Sequence, residues 1–202
     1  PMAVAGLVII VLLLLIAAFA PLIAPFDPIA QTLDKRLLPP STTNWFGTDA
    51  LGRDIFSRAL LGGRVSLLIG FSVALLSTVV GLLLGLLAGY GRAIDAVIMR
   101  AMDGLMAIPG ILLAIALLAV MGGNVLTVIA AITIVEVPRI TRLVRALVLS
   151  VRSLPYVEAA RISGARWHSV LLRHILPNTA APVVVQATFI AASAILIEAY
   201  LS

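Results

Sequence analysis

The chain has 202 residues, of which 62% are hydrophobic and only 11% charged, against roughly 45–50% apolar residues in a soluble domain, so its solvent is a bilayer. The net charge of +5 is carried by clustered Arg and a single Lys, Lys35, a pattern that orients membrane spans and gives no support to nucleic-acid binding. There is no Cys, which excludes disulfides, thiolate metal sites and thiol nucleophiles.

Residues 1–24 open with "PMAVAGLVIIVLLLLIAAFAPLI". This run has no basic n-region and no signal-type cleavage site, so residue 1 reads as an internal start and the run as a first transmembrane helix. About 22 uncharged residues make a helix of about 33 Å, enough for a hydrocarbon core of about 30 Å. Residues 25–64 turn rich in Pro and charge and read as an external loop. Within it "GTDALGRDIFSR" predicts a short amphipathic helix capped by Thr48. Asp49 with Arg53 and Asp54 with Arg58 are its i,i+4 pairs, and Leu51, Ile55 and Ala59 its apolar side.

The core, residues 65–202, follows. Its first span covers residues 65–90, where Ser77, Gly81, Gly85 and Gly89 form a ladder of small residues four apart. Such a ladder lets a second helix approach closely, either from this chain or from a partner subunit. The uncharged run 104–135 would be about 48 Å as one helix, too long for one span, and "MGGN" at 121–124 divides it. Spans are expected at about 94–121, kinked at Pro109, and at about 125–146, running past Glu136. Glu136 and Arg139 are three apart and can neutralise one another near the interface. A last span, about 178–201, follows Pro177, which is expected to end the segment before it. That makes five spans. Ser72, Ser77, Thr78, Asn124, Thr127, Thr133, Gln186, Thr188 and Ser193 read as hydrogen-bonding groups between helices.

Orientation follows from the short loops. The stretch from Arg139 to Arg173 holds seven Arg against one Glu, and the turn at 91–103 holds Arg92 and Arg100. Both therefore face the cytoplasm, and the 25–64 loop faces outward. No enzyme is visible. The one Lys follows Asp34, so no phosphate-binding GxxxxGK[ST] loop exists, and His168 and His174 lack the spacing of a zinc site.

The cytoplasmic stretch at about 150–177 carries the densest polar pattern. Ser153 suits an N-cap, Pro155 the first turn and Gly164 the stop of a helix from Leu154 to Gly164, with Glu158 near its positive end. Ala159 and Ser163, and Ala160 and Gly164, are four apart and leave one side free of bulk, rimmed by Glu158, Arg161 and Arg166. This is a surface for seating in a groove of another protein; the alternative is a helix resting among lipid headgroups.

Glu158-Ala159-Ala160, then Gly164, then Pro177 in "HILP" resemble the EAA loop of integral membrane subunits of ATP-binding-cassette importers, with His174 departing from the usual Ile. "FGTDALGRDIFSRALLGGRVSLLIG", Phe46 to Gly70, is similar to the segment before the second span in the second permease subunit of the dipeptide, oligopeptide and nickel branch. "AILIEAYLS" at 194–202 resembles the place where that branch continues into a sixth span.

The resemblance implies an all-α polytopic membrane protein with the type I importer transmembrane fold, with five of six spans present in a fragment. It implies a coupling helix whose Glu158, Ala159, Ala160 and Gly164, with Arg161 and Arg166, dock on cytosolic ATP-binding subunits. It further implies a homologous second permease subunit as heterodimer partner, an external substrate-binding protein and a bacterial inner membrane location; the "GTDALGRDIFSR" segment reads either as an architectural lead-in to the second span or as a contact for that binding protein. The cargo it implies is a di- or oligopeptide or nickel, with no cofactor, no resident metal and no catalytic residue. The competing reading, an ion-gradient-driven secondary transporter or channel, would use Glu136 and Glu198.

Overall fold

A computed structural model describes residues 2–201; Pro1 and Ser202, the outer ends of the first and last segments read from the sequence, lie outside the described residues. The chain divides into two compact units, Pro1–Leu68 and Ile69–Ser202.

In the first unit, α1 (Met2–Ile23) carries Leu, Ile and Val side chains that stay exposed on nearly every side, as expected of a helix surrounded by lipid or partner helices. The loop after it corrects the expected amphipathic helix. Residues 48–54 form a tight turn closed by an isolated antiparallel bridge between Thr48 and Asp54. Gly47 and Gly52 both take φ of +74°, and a Cβ on Gly52 would collide with the Thr32 carbonyl, so the backbone there is a packed turn.

The charges are used accordingly. Asp49 accepts from the backbone N–H of Leu51 at 2.9 Å and of Arg53 at 3.0 Å, and pairs with the guanidinium of Arg53 at 2.8 Å and with that of Arg58. Asp54 does not pair with Arg58. It caps helix α2 (Ile55–Tyr90) by accepting from Ser57 N–H at 2.8 Å, and takes a second hydrogen bond from the Asn44 amide at 2.9 Å.

The Arg53 backbone N–H holds the Asp49 carboxyl well below the usual carboxylate range; burial opposes this, while Leu51 and the Arg53 side chain add to it. Burial raises Asp54, but Asn44 and Ser57 together pull it lower still. A depressed folded pKa contributes stability that is present above the unfolded value of about 3.9 and lost only as pH falls through the folded value. Limited proteolysis of the 35–54 loop is therefore expected to be unchanged from pH 7 to pH 4, with opening confined to more acid solution. Asp49→Asn should open the loop already at pH 7; a variant loop as resistant as the wild type would contradict this account.

The second unit takes up the rest of α2 and then α3 (Arg92–Met106), α4 (Gly110–Met121), α5 (Val125–Val151), α6 (Pro155–Ile162), α7 (Trp167–Val170), a π turn (Leu171–Ile175) and α8 (Leu176–Leu201). Among the described residues three helical stretches are long and apolar enough to cross a membrane: Val4–Ile23, Ile55–Tyr90 and Trp167–Leu201. A fourth crossing is formed if α3 and α4, bent by 88° at their junction, count together. The kink expected at Pro109 is thus a corner: Pro109 is the N-cap of α4, and its ring drives the residue before it out of helical geometry. Helix α5 is long enough, but Glu136, Arg139, Arg142 and Arg145 take it outside an apolar-span criterion, which is why composition alone does not return five.

Helices α2 and α5 pack along the small-residue ladder. A Cβ on Gly81 would lie 2.5 Å from Ile140, on Gly85 2.6 Å from Val144, and on Gly89 2.6 Å from Val148. The two helices advance together, so they run parallel. From Val148 back to Val125 is about 34 Å of helix, and the α3–α4 segment must return the chain over that distance, a bilayer's thickness. Acidic groups on α3 clamp α5 from another side. Arg145 takes both oxygens of Asp95, one at 2.6 Å, and Arg142 reaches Asp103 at 2.6 Å. Glu136, 1% exposed, is paired with Arg139 at 3.2 Å.

The core of this unit joins Val73 and Leu86 of α2, Ile132, Ile140, Val144 and Val148 of α5, Val157 of α6, Val170 and Ile175 around the π turn, and Ile190 of α8. Most hydroxyls turn inward on their own helices rather than across to neighbours: Ser77 donates to Val73 O at 2.6 Å, Thr141 to Val137 O at 2.9 Å and Thr188 to Val185 O at 2.8 Å. Asn124 and Thr127 close a capping box at the start of α5. Thr78 and Thr133 keep buried hydroxyls without a partner. Pro177 does not end a helix. The path from Trp167 to Leu201 is continuous, and the π turn just upstream makes room for a ring that would otherwise meet the carbonyl one turn back.

Candidate functional site

After α5 the chain makes a short connection and enters α6. Ser153, expected as N-cap, instead donates its hydroxyl to Ser150 O at 2.8 Å. Leu154 occupies the cap position without a side-chain bond, and Pro155 starts the helix, where its missing N–H costs nothing. Helix α6 is only eight residues long, and its one buried side chain among the described residues, Val157, sits in the core cluster with Val151, Val170 and Ile175.

Its other end is set by backbone chemistry. Gly164 takes φ of +84°, the Ala165 N–H bonds to Ala160 O at 3.1 Å and the Gly164 N–H to Arg161 O at 3.0 Å. This pair of bonds is a Schellman stop, and it requires the left-handed conformation that glycine adopts most readily. A Cβ on Gly164 would meet nothing within 4 Å, so any penalty on substitution within the chain is conformational.

Most of α6 and the turn after it are open, Arg161 on the same side as Val157 and bordering the same space. Glu158, Ala159, Arg161, Ile162, Ser163, Gly164, Ala165 and Arg166 are exposed, and Ala160 is half-buried. Among the described residues Glu158, Arg161 and Arg166 make no ion pair, and Glu158 sits in the first turn, where the helix dipole favours it. The result is a patch of small residues with loose charges on its rim and one large apolar side chain, Ile162, 83% exposed, standing out of it. Sequence reading did not single out Ile162 for contact. Its five-residue offset from Val157 was the available signal, because residues five apart on a helix lie about 140° apart and cannot both face the core.

Aromatic contacts brace the base of this loop. Tyr90, the last residue of α2, packs on Trp167 with ring centroids 5.6 Å apart, and Tyr156 lies 6.1 Å from His174 while its hydroxyl accepts from Asn178 at 3.2 Å. Arg152 donates to Gly89 O at 2.9 Å, satisfying a carbonyl at the end of α2. Between α6 and these helix ends lies a cavity of about 250 Å³ lined by Tyr90, Arg152, Val157, Arg161, Val170 and Ile175. The structure thus gathers Glu158, Ala159, Ala160, Arg161, Gly164 and Arg166 on one protruding turn. Gly81, Gly85 and Gly89 lie along the α2–α5 seam, Ser77 is buried one turn before them, and Asp49, Arg53 and Arg58 form one ion cluster of the first unit, with Asp54 beside it as a helix cap.

Comparison with known proteins adds two family matches. Residues 77–202 match the binding-protein-dependent transport system inner membrane component, and residues 1–40 match the N-terminal TM domain of oligopeptide transport permease C. A probable peptide ABC transporter permease protein of Sinorhizobium fredii is 53% identical over 93% of this chain and 64% of its own length. A probable D,D-dipeptide transport system permease protein of Escherichia coli is 47% identical over 100% of this chain and 68% of its own. A di/tripeptide transport system permease protein of Pseudomonas aeruginosa is 43% identical over 96% and 66%. The chain therefore spans about two thirds of the length of the relatives it matches, and less than that of the first.

Proposed function

This chain belongs to the family of binding-protein-dependent transport system inner membrane components, and we propose that it serves as a permease subunit of an ATP-driven importer whose cargo is a short peptide. The protruding face of α6 carries this reading: a helix of eight residues, fixed by Val157 and stopped by Gly164, presents small residues and unpaired charges to something outside the chain. A cleft on a cytosolic ATP-binding subunit fits that face, with Ala159, Ala160 and Gly164 allowing close approach and Glu158, Arg161 and Arg166 supplying the polar rim. Ile162 is the apolar knob of the contact. The seven Arg between residues 139 and 173 support a cytoplasmic position for the loop, in a bacterial inner membrane.

The mechanism is alternating access. Closure of the ATP-binding subunits pushes on α6, and Val157 passes the displacement to the packed ends of α5 and α8. The close seam between α5 and Gly81, Gly85 and Gly89 makes α2 follow as a rigid body. A homologous second permease subunit completes the pathway, and an external binding protein delivers cargo on the face of the 25–64 loop. Short peptides are the cargo because the three relatives named above are permeases for peptide, D,D-dipeptide and di/tripeptide transport.

Glu158→Lys tests the docking. Charge reversal at a complementary contact costs several kcal/mol, and every 1.4 kcal/mol is tenfold. ATP-driven peptide uptake by the assembled transporter in vesicles is expected to fall by at least about tenfold, while the variant still inserts and purifies. Uptake at the wild-type level would remove α6 from the coupling contact.

A further inference from the structure

We propose that the cavity beneath α6 binds the phosphate of an anionic phospholipid headgroup, clasped by Arg152 and Arg161. The proposal rests on the cytoplasmic placement of the loop and asks what else that loop touches.

Three Arg on α5 each have a carboxylate: Arg139 has Glu136, Arg142 has Asp103 and Arg145 has Asp95. Arg152 breaks the series. It gives one N–H to Gly89 O and has no carboxylate partner, and the Arg161 guanidinium has no polar partner among the described residues. Asp95 is the acid whose field reaches Arg152, but both its oxygens are taken by Arg145. A guanidinium carries five donors, so most of the donor capacity around this cavity is unspent. Two cations lining one space of about 250 Å³ repel each other, and an anion between them reverses the sign of that interaction. Phosphate oxygens match the guanidinium fork.

The rest of the lining selects the source of the phosphate. Val157, Val170 and Ile175, themselves buried, close the inner side of the cavity, so what selects the source lies at its mouth. Tyr90 lines the cavity and packs on the half-exposed Trp167. Such aromatic pairs sit at headgroup level, in the leaflet where anionic lipid is concentrated and basic pockets between helices take headgroups.

The test uses the chain assembled with its partner subunits, extracted from membranes containing phosphatidylglycerol and phosphatidylethanolamine, washed in detergent and analysed for retained phospholipid. The wild type is expected to retain phosphatidylglycerol several-fold above its share of the membrane. Arg152→Gln with Arg161→Gln should bring retention down to that share. Arg161→Gln alone alters an exposed side chain that holds nothing in the fold, and should still lower retention measurably, with Arg161→Lys restoring it. Arg100→Gln, exposed on α3 and outside the cavity, should change nothing. The proposal is overturned if the wild type shows no enrichment, or if the double variant keeps it. It is also overturned if millimolar inorganic phosphate strips the lipid, which would assign the cavity to a soluble anion. Retention is read without nucleotide or cargo, so its outcome is separate from the effect of Glu158→Lys on uptake.

Discussion

Gly85→Leu is expected to prevent stable assembly of the helix bundle. The Cβ of any residue at this position would lie 2.6 Å from Val144 Cβ and 2.8 Å from the Thr141 carbonyl oxygen. The second contact is backbone, so no side-chain rotation relieves it, and the larger Leu side chain must separate α2 from α5 over several residues. Overpacking of a fitted core costs about 1–3 kcal/mol even where side chains can yield; here the effect should exceed that range, seen as loss of a monodisperse peak and a cooperative thermal transition in detergent. Gly63→Ala is the matched control. That glycine lies in α2 with nothing within 4 Å of an added methyl group, and Ala should raise stability by about 0.5–1 kcal/mol through backbone entropy. If Gly85→Leu melts like Gly63→Ala, the seam is not a close contact.

Substitutions at Gly164 should separate backbone geometry from bulk. Asn tolerates left-handed φ and is expected to keep most ATP-driven uptake. Ala has less bulk but strains the Schellman stop by about 1–2 kcal/mol, and should lose part of it. Trp adds that strain to a large side chain in the middle of the small-residue face and is expected to abolish uptake. Since the added Cβ meets nothing within 4 Å among the described residues beyond its own chain neighbours, all three variants should insert, purify and show cooperative unfolding. Wild-type uptake by the Gly164→Trp transporter would show that the face meets no partner.

Much of this was legible in the sequence because lipid imposes simple rules. The uncharged runs marked α1, α2 and α8 directly, and Gly164 announced a helix stop since few other residues accept φ of +84°. The 48–54 segment misled because its charges repeat every four residues, a helical spacing that a tight turn also satisfies. Gly47 and Gly52 were the better guide, and the Asp49 carboxylate bonds two N–H groups ahead of it in the manner of an Asx turn. The α3–α5 clamps could not be read at all, as Arg145 finds Asp95 across 50 residues and Arg142 finds Asp103 across 39. Nor could the sequence show what the glycine ladder packs against; only the fold lays Ile140, Val144 and Val148 over it. The cavity's two Arg were visible as residues and invisible as a pair, because a connecting turn and most of a short helix separate them along the chain.

The wide turn at Leu171–Ile175 stores an angle as a residue count. A π turn holds one residue more than the α-helical turn it replaces, and one residue is worth about 100° of rotation about the axis. The α6 loop and the last span are two parts of one screw, set in phase by that surplus residue. Removing Leu172, an exposed side chain, would leave composition and hydrophobicity almost untouched and still swing everything ahead of it through about a quarter turn. For helices packed this closely, such a mistimed thread is a more severe lesion than most changes of chemistry.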